Sequence, residues 1–195
     1  NGHILRGENT TEIRSIASIT KLVTVMVYLD AHKSLQSKPN QELIQRTLIA
    51  SDNRAAKELC QTYPGGYGDC ITMMNFKVME LGLKHTKFVE PTGLSVFNTS
   101  NAEELIKIVE EASKYPDIVQ ASNTKSLKLK KRVYNNTNPT VSKWDVLVSK
   151  TGYINASGGC IVMMIKTITG TKTVVLLGSK NTKTRIPEVE KLLNS

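Results

Sequence analysis

The spacing of apolar residues changes period along the chain. Between Ser18 and Lys33, Leu22, Val25, Met26 and Leu29 recur at helical spacing and predict a helix packed on a core. A polar connection, "SLQSKPNQ", precedes a second helical pattern around Glu42–Ala50. "SDN" interrupts that pattern, and it resumes through "RAAKELCQTY". "YPGGYG" reads as a turn, and Asp69–Gly82 as a helix ending at a glycine. After "FVEPTGLSVFNTS" comes an acidic-faced helix, "NAEELIKIVEEASKY". The character of the chain then changes. "SLKLKKRVY", "WDVLVSK", "CIVMMIKTIT" and "TKTVVLLGS" read as strands, and a helix over about 184–193 closes the chain. Near the start, "HILR" reads as a further short strand.

One short strand, then helices, then consecutive strands predict an α+β fold whose strands form an antiparallel meander. The 195 residues fit one domain with two lobes around a cleft: a helical part over about 34–125, and a sheet part from the N-terminus and about 126–195. There is no internal repeat or low-complexity tract. No apolar run approaches the roughly 20 residues needed to span a bilayer. The opening "NGHILRGENTTEIRS" has neither an initiator Met nor a signal-peptide pattern, and reads as a mature or trimmed product.

Charge alters this picture only bluntly. Lys plus Arg number 26 and Asp plus Glu 17, so the net charge is 26 − 17 = +9, which favours acidic or polyanionic partners. The densest basic patch is "KSLKLKKRVY". There Lys128, Lys130 and Arg132 alternate with Leu127, Leu129 and Val133, the pattern of a half-buried strand with a charged outer face. No aromatic platform or zinc-finger spacing accompanies it, so nucleic acid is not an expected partner. The three cysteines (Cys60, Cys70, Cys160) contain no C-x-x-C pair, and the three histidines are scattered; neither a metal nor a cofactor is expected. A Cys60–Cys70 disulfide could form in an oxidising compartment, but small buried thiols are the default expectation.

Three short motifs carry the candidate chemistry: Ser18-x-x-Lys21, Ser51-Asp52-Asn53 and Lys150-Thr151-Gly152. Alone, each has an ordinary reading as a helix cap, a turn and a strand end. In this order, at a helix start, an interhelical turn and a strand, they form the signature of penicillin-binding enzymes and class A β-lactamases. Lys21, one turn beyond Ser18, can reach its hydroxyl and act as base to a nucleophile. The helix start supplies a backbone N–H and a positive field for a developing oxyanion. A lysine base must be neutral, and bringing its pKa from about 10.4 to roughly 7–8 means about 3–5 kcal/mol against the charged form. Desolvation and a second cation, Lys150, are the expected sources. Ser51 is expected to relay a proton to the leaving amine, and Asn53 to hold Lys21 and the substrate amide. Lys150 and Thr151 would bind a substrate carboxylate or carbonyl, while Gly152 would let a substrate backbone approach.

Further blocks, "YPGGY", "ELGLKHTKFVEPTGLS", "NNTN" and "KTGYINASGGC", make the chain resemble the serine D-alanyl-D-alanine peptidases, the low-molecular-weight penicillin-binding proteins. "YPGGY", "FVEPTGLSVFN" and "ASKYPDI" look closest to the endopeptidase branch, which cuts D-alanyl-to-diaminopimelate cross-links of peptidoglycan. The resemblance implies a DD-peptidase/β-lactamase-like fold, with an antiparallel sheet flanked by helices and a helical lobe. It implies an acyl-enzyme on Ser18 and an oxyanion hole from the N–H groups of Ser18 and Tyr153. It also implies peptidoglycan peptides as substrate, β-lactam antibiotics as covalent inhibitors, and an exported, periplasmic monomer. That family usually carries more of its first strand, and a longer connection than "AHKSLQSKPNQELIQ" between the Ser18 helix and the Ser51 turn.

Alternatives share parts of this pattern. A D-alanyl-D-alanine carboxypeptidase would use the same residues; members of that kind often carry a further C-terminal domain and anchor, whereas this sequence stops at "EVEKLLNS". A class A-like β-lactamase would need a glutamate in an E-L-N setting, and "EPTGLS" places Glu90 in another. A catalytically silent cell-wall binder would rely on the +9 charge alone.

Overall fold

A computed structural model describes residues 5–194 of the chain. Strand β1 (Arg14–Ser15) leads into a 3-10 turn (Ala17–Thr20) and helix α1 (Lys21–Ser34). Helices α2 (Gln41–Ile49), α3 (Asn53–Gln61) and α4 (Tyr67–Glu80) follow. Strand β2 (Thr99–Ser100) pairs back on β1 in antiparallel register. Helices α5 (Ala102–Ala112) and α6 (Pro116–Asn123) complete the helical part. A hairpin, β3 (Ser126–Leu129) and β4 (Arg132–Asn135), precedes the main sheet of β5 (Val146–Ile154), β6 (Gly158–Thr167) and β7 (Gly170–Ser179). Helix α7 (Thr182–Asn194) closes the fold.

The main sheet is the expected antiparallel meander, in the order β5-β6-β7. Helix α1 runs through the core with Leu22, Val25 and Met26 wholly buried, against α3, α4 and α5. Its apolar residues surround the helix rather than stripe it, as befits a helix enclosed on all sides. A second, smaller core lies between the sheet and α7, around Ile161, Met163 and Val189. Helix starts follow local chemistry. Asn40, Asp52 and Asn101 accept hydrogen bonds from the first turns of α2, α3 and α5, and Pro116 opens α6.

Several expectations are corrected. Of "HILR", His3 and Ile4 lie outside the described residues and Leu5–Arg6 form bends; the N-terminal strand is Arg14–Ser15 instead. The basic patch is not one strand but two, turning at Lys130 with φ of 51°. A two-residue turn preserves period-two alternation, so the turn is invisible in the pattern, and Val133 ends up 54% exposed. Helix α6, only eight residues long, has no counterpart in the sequence reading. Cys60 and Cys70 are not free thiols. They form a disulfide between α3 and α4, while Cys160 is free and buried.

Candidate active site

Ser18 sits in the 3-10 turn ahead of α1 and caps no helix. The preceding Ala17 has φ of 45°, a left-handed conformation that costs a non-glycine residue on the order of 1 kcal/mol. Both flanks of this turn are glycines for steric reasons. A Cβ on Gly93 would lie 1.9 Å from the Ala17 carbonyl oxygen, and one on Gly152 would lie 2.9 Å from the Ser18 nitrogen. The close approach that Gly152 permits is thus made by the chain's own Ser18 turn, where a substrate backbone was expected. It brings strand β5 against the turn.

Lys21, at the first position of α1, is wholly buried. Its Nζ donates to Ser18 Oγ (2.8 Å), Asn53 Oδ1 (2.7 Å) and the Thr92 carbonyl (2.5 Å). Burial pulls its pKa down from 10.5 to about 7, against the opposing pull of the Glu90 and Asp52 charges. Lys150, on β5, is also buried; its Nζ donates to Ser51 Oγ and to the Thr151 carbonyl, each at 2.9 Å. Its pKa lies well below the ordinary value, first through burial and then through the charges of Lys21 and Arg185. The lowering of Lys21 therefore stems from desolvation. The coupling expected between the two lysines acts on Lys150.

Ser51, at φ of 57°, turns the chain between α2 and α3 and points its hydroxyl at Lys150. Asp52 caps α3 through the Arg54 and Ala55 N–H groups, and this cap places Asn53 beside Lys21. Thr151 Oγ1 donates to Thr137 Oγ1 at 2.6 Å. Tyr153 is half exposed on β5, paired with Gly159. All eight residues singled out in the sequence thus lie on the Ser18 turn, the α2–α3 corner and the β5 strand, and hydrogen bonds tie the Ser18–Lys21 pair to Asn53 and Ser51 to Lys150.

Three contributors escaped the sequence reading. The first is the turn that presents the Thr92 carbonyl. Glu90 Oε2 accepts from Thr92 N and Oγ1, and Oε1 from Gly93 N, Ser95 N and Asn98 Nδ2. Asn98 continues the network to Thr20 Oγ1 and the Val89 N–H. "FVEPTGLSVFN" stood out as a block, but a carbonyl contact carries no side-chain signal. The second is Thr137. The third is Arg185 of α7, buried behind β5, whose Nη1 donates to the Gly152 carbonyl at 3.0 Å.

A hydroxyl hydrogen-bonded to a buried, near-neutral amine is the arrangement of a nucleophile and its general base. The profile of the D-alanyl-D-alanine carboxypeptidase family matches residues 36–181. The chain belongs to that family. The matched stretch contains Ser51, Asn53 and Lys150–Tyr153; Ser18 and Lys21 precede it and join through the contacts above. The chain is 37% identical over 197 residues to the D-alanyl-D-alanine endopeptidase of Escherichia coli K12, covering 85% of this chain and 63% of that protein. It is 34% identical over 194 residues to the D-alanyl-D-alanine endopeptidase of Pseudomonas aeruginosa PAO1, covering 83% and 63%. It therefore spans less than two thirds of the length of these relatives. The fold matches penicillin-binding protein D2 from Listeria monocytogenes, in its cefotaxime-bound form, with a TM-score of 0.85 at 21% identity, covering 97% of this chain and 90% of that one. Among the described residues, no helix is long and apolar enough to cross a membrane and no His, Cys, Asp and Glu cluster could hold a metal ion.

Proposed function

We propose that the chain is the catalytic part of a penicillin-sensitive serine D,D-peptidase that cleaves D-alanyl-to-diaminopimelate cross-links in peptidoglycan. The observation that carries this reading is the buried Lys21 Nζ, 2.8 Å from Ser18 Oγ, with a pKa brought to about 7. Neutral Lys21 takes the hydroxyl proton as Ser18 Oγ attacks the penultimate D-alanyl carbonyl. The Ser18 and Tyr153 N–H groups hold the oxyanion. Ser51, supplied through Lys150, passes a proton to the departing amine, leaving a Ser18 ester. The proton held by Lys21 then restores the Lys150–Ser51 pair. Water attacks the ester with Lys21, neutral again, as base, and Lys21 returns the water's proton to Ser18. Asn53 fixes Lys21 and the substrate amide; Lys150 and Thr151 take the substrate's carboxylate or carbonyl, and Gly152 keeps β5 against the nucleophile turn. β-Lactams would acylate Ser18 by the same first step.

Two observations narrow the choice. Both Glu90 carboxylate oxygens are engaged by the donors of their own turn, which argues against Glu90 as the base of a β-lactamase-like deacylation. The endopeptidase names of the E. coli and P. aeruginosa relatives favour cross-link cleavage over terminal trimming. The Cys60–Cys70 disulfide supports an exported protein in an oxidising compartment.

The test is intact mass against time after adding penicillin, with Ser18→Ala as control. A persistent adduct absent from the control is expected. Penicillin consumed without an adduct would favour a β-lactamase, and no adduct with intact penicillin would favour a silent binder. Cross-linked against pentapeptide muropeptides then separates endopeptidase from carboxypeptidase.

A further inference from the structure

A cleft of about 450 Å³ opens beside the site, lined by Arg46, Asp52, Asn53, Arg54, Arg132 and Tyr134. It shares Arg132 and Tyr134 with a second hollow of about 350 Å³, which adds Glu42, Lys130 and Lys131 from α2 and the hairpin turn. Five basic side chains thus face two carboxylates. Arg46 engages both of those, at 2.8 Å from Asp52 and 3.3 Å from Glu42. Arg54, Lys130, Lys131 and Arg132 have no carboxylate partner among the described residues. Arg46 and Arg132 both lie over the Tyr134 ring, at 5.6 and 4.8 Å, so the Arg132 fork is held in place without being neutralised. Asn53 belongs to both sites: its Oδ1 holds Lys21 while the residue lines this cleft.

We propose that this cleft binds a carboxylate-bearing arm of the peptide substrate, remote from the scissile bond, chiefly through Arg54 and Arg132. The proposal rests on the D,D-peptidase reading. A guanidinium presents two parallel donors that match a carboxylate, and the volume suits a short peptide arm rather than an extended polymer. A cross-linked peptide carries such carboxylates on its stems, whereas a small β-lactam does not extend beyond the Ser18 side. The cleft therefore selects for substrate and leaves acylation by penicillin untouched.

The test compares wild type with Arg54→Gln/Arg132→Gln on a cross-linked stem-peptide dimer and on the same dimer with its remote carboxylates converted to carboxamides. Penicillin acylation and thermal midpoint are measured on both proteins. The wild type should prefer the carboxylate dimer in kcat/KM by about tenfold or more, the order of one charge-assisted contact. The variant should lose that preference while penicillin acylation stays within about twofold. An unchanged preference, or a loss matched by an equal loss of penicillin acylation, overturns the proposal. So does weaker binding of the variant to polyphosphate with peptide discrimination intact, which assigns the cleft to an anionic polymer. A wild type that forms no penicillin adduct refutes the Ser18 reading instead, and calorimetry with the same two dimers still decides the cleft.

Discussion

If Lys21 accepts the Ser18 proton, acylation must fall as Lys21 becomes charged, and the structure sets where. Moving its pKa from 10.5 to about 7 corresponds to roughly 5 kcal/mol against the charged form, at about 1.36 kcal/mol per pH unit. The neutral fraction is then about one half at pH 7, a tenth at pH 6 and a hundredth at pH 5. The second-order rate of penicillin adduct formation, read by intact mass between pH 5 and 9, should show an acid limb of unit slope bending near pH 7. Circular dichroism at each pH confirms that the protein is folded. A rate flat down to pH 5, or a limb still rising toward pH 10, refutes the assignment of Lys21 as base. Stability offers a second reading of the same group. Between about pH 7 and 10.5 the unfolded chain binds more protons at Lys21 than the folded one, so stability rises with pH across that window. Below pH 7 both states are protonated and the full burial penalty is present. Lys21 should contribute about 2–3 kcal/mol to the rise between pH 7 and 9, and Lys21→Met should remove that share from the urea-derived slope.

Gly152→Ala would place a methyl 2.9 Å from both Ser18 N and the Ala17 Cβ; displacing the Ser18 turn should slow penicillin acylation about 100-fold and cost about 1–3 kcal/mol of stability, read as a lower thermal midpoint. Replacing Cys60 and Cys70 with Ala opens a loop of sequence separation 10 and should lower unfolding stability by about 2.5 kcal/mol in urea titrations. Burial pushes the Glu104 carboxyl up, but hydrogen bonds from Thr86, His85 and Lys84 outweigh it and hold its pKa below 4.5. Its stabilisation is present above pH 4.5 and is lost as pH falls below that value. Glu104→Gln should cost about 2–3 kcal/mol at pH 7 and leave the pH 3–5 stability curve flatter.

How much of this was legible depended on whether a residue advertised itself by period or by side chain. The α1 helix and the strands β5–β7 announced themselves because each carries a long apolar run bounded by polar turn residues. The candidate site was readable because Ser18, Lys21, Ser51, Asn53 and Lys150 make its hydrogen bonds through their own side chains at fixed offsets. The hairpin turn at Lys130 was hidden because it lacks Gly or Asn and leaves the alternation intact. The Thr92 carbonyl was hidden because a backbone acceptor has no residue type. Helix α6 was marked by Pro116 at its first turn, but its eight residues show too few turns to reveal a period. Arg185 reaches the site from the end of the chain, where only the fold brings α7 behind β5.

The two lysines differ in how many acceptors surround them, and this bears on their proposed roles. Lys21 meets three acceptors, Ser18 Oγ, Asn53 Oδ1 and the Thr92 carbonyl, which match the three donors of an ammonium. Lys150 meets two, Ser51 Oγ and the Thr151 carbonyl, which match a neutral amine and leave its lone pair unused. A third N–H on Lys150 would be buried without a protein partner, consistent with a pKa well below the ordinary value. The acceptors therefore accommodate a proton more readily on Lys21 than on Lys150. An anion docking at the Lys150–Thr151 edge reverses that bias by stabilising a charged Lys150. In the proposed mechanism the proton that the departing amine needs would then sit beside Ser51 when substrate is bound, leaving Lys21 to act as base. A cleft with both lysines charged at rest could not begin acylation, and one with both neutral could not finish it.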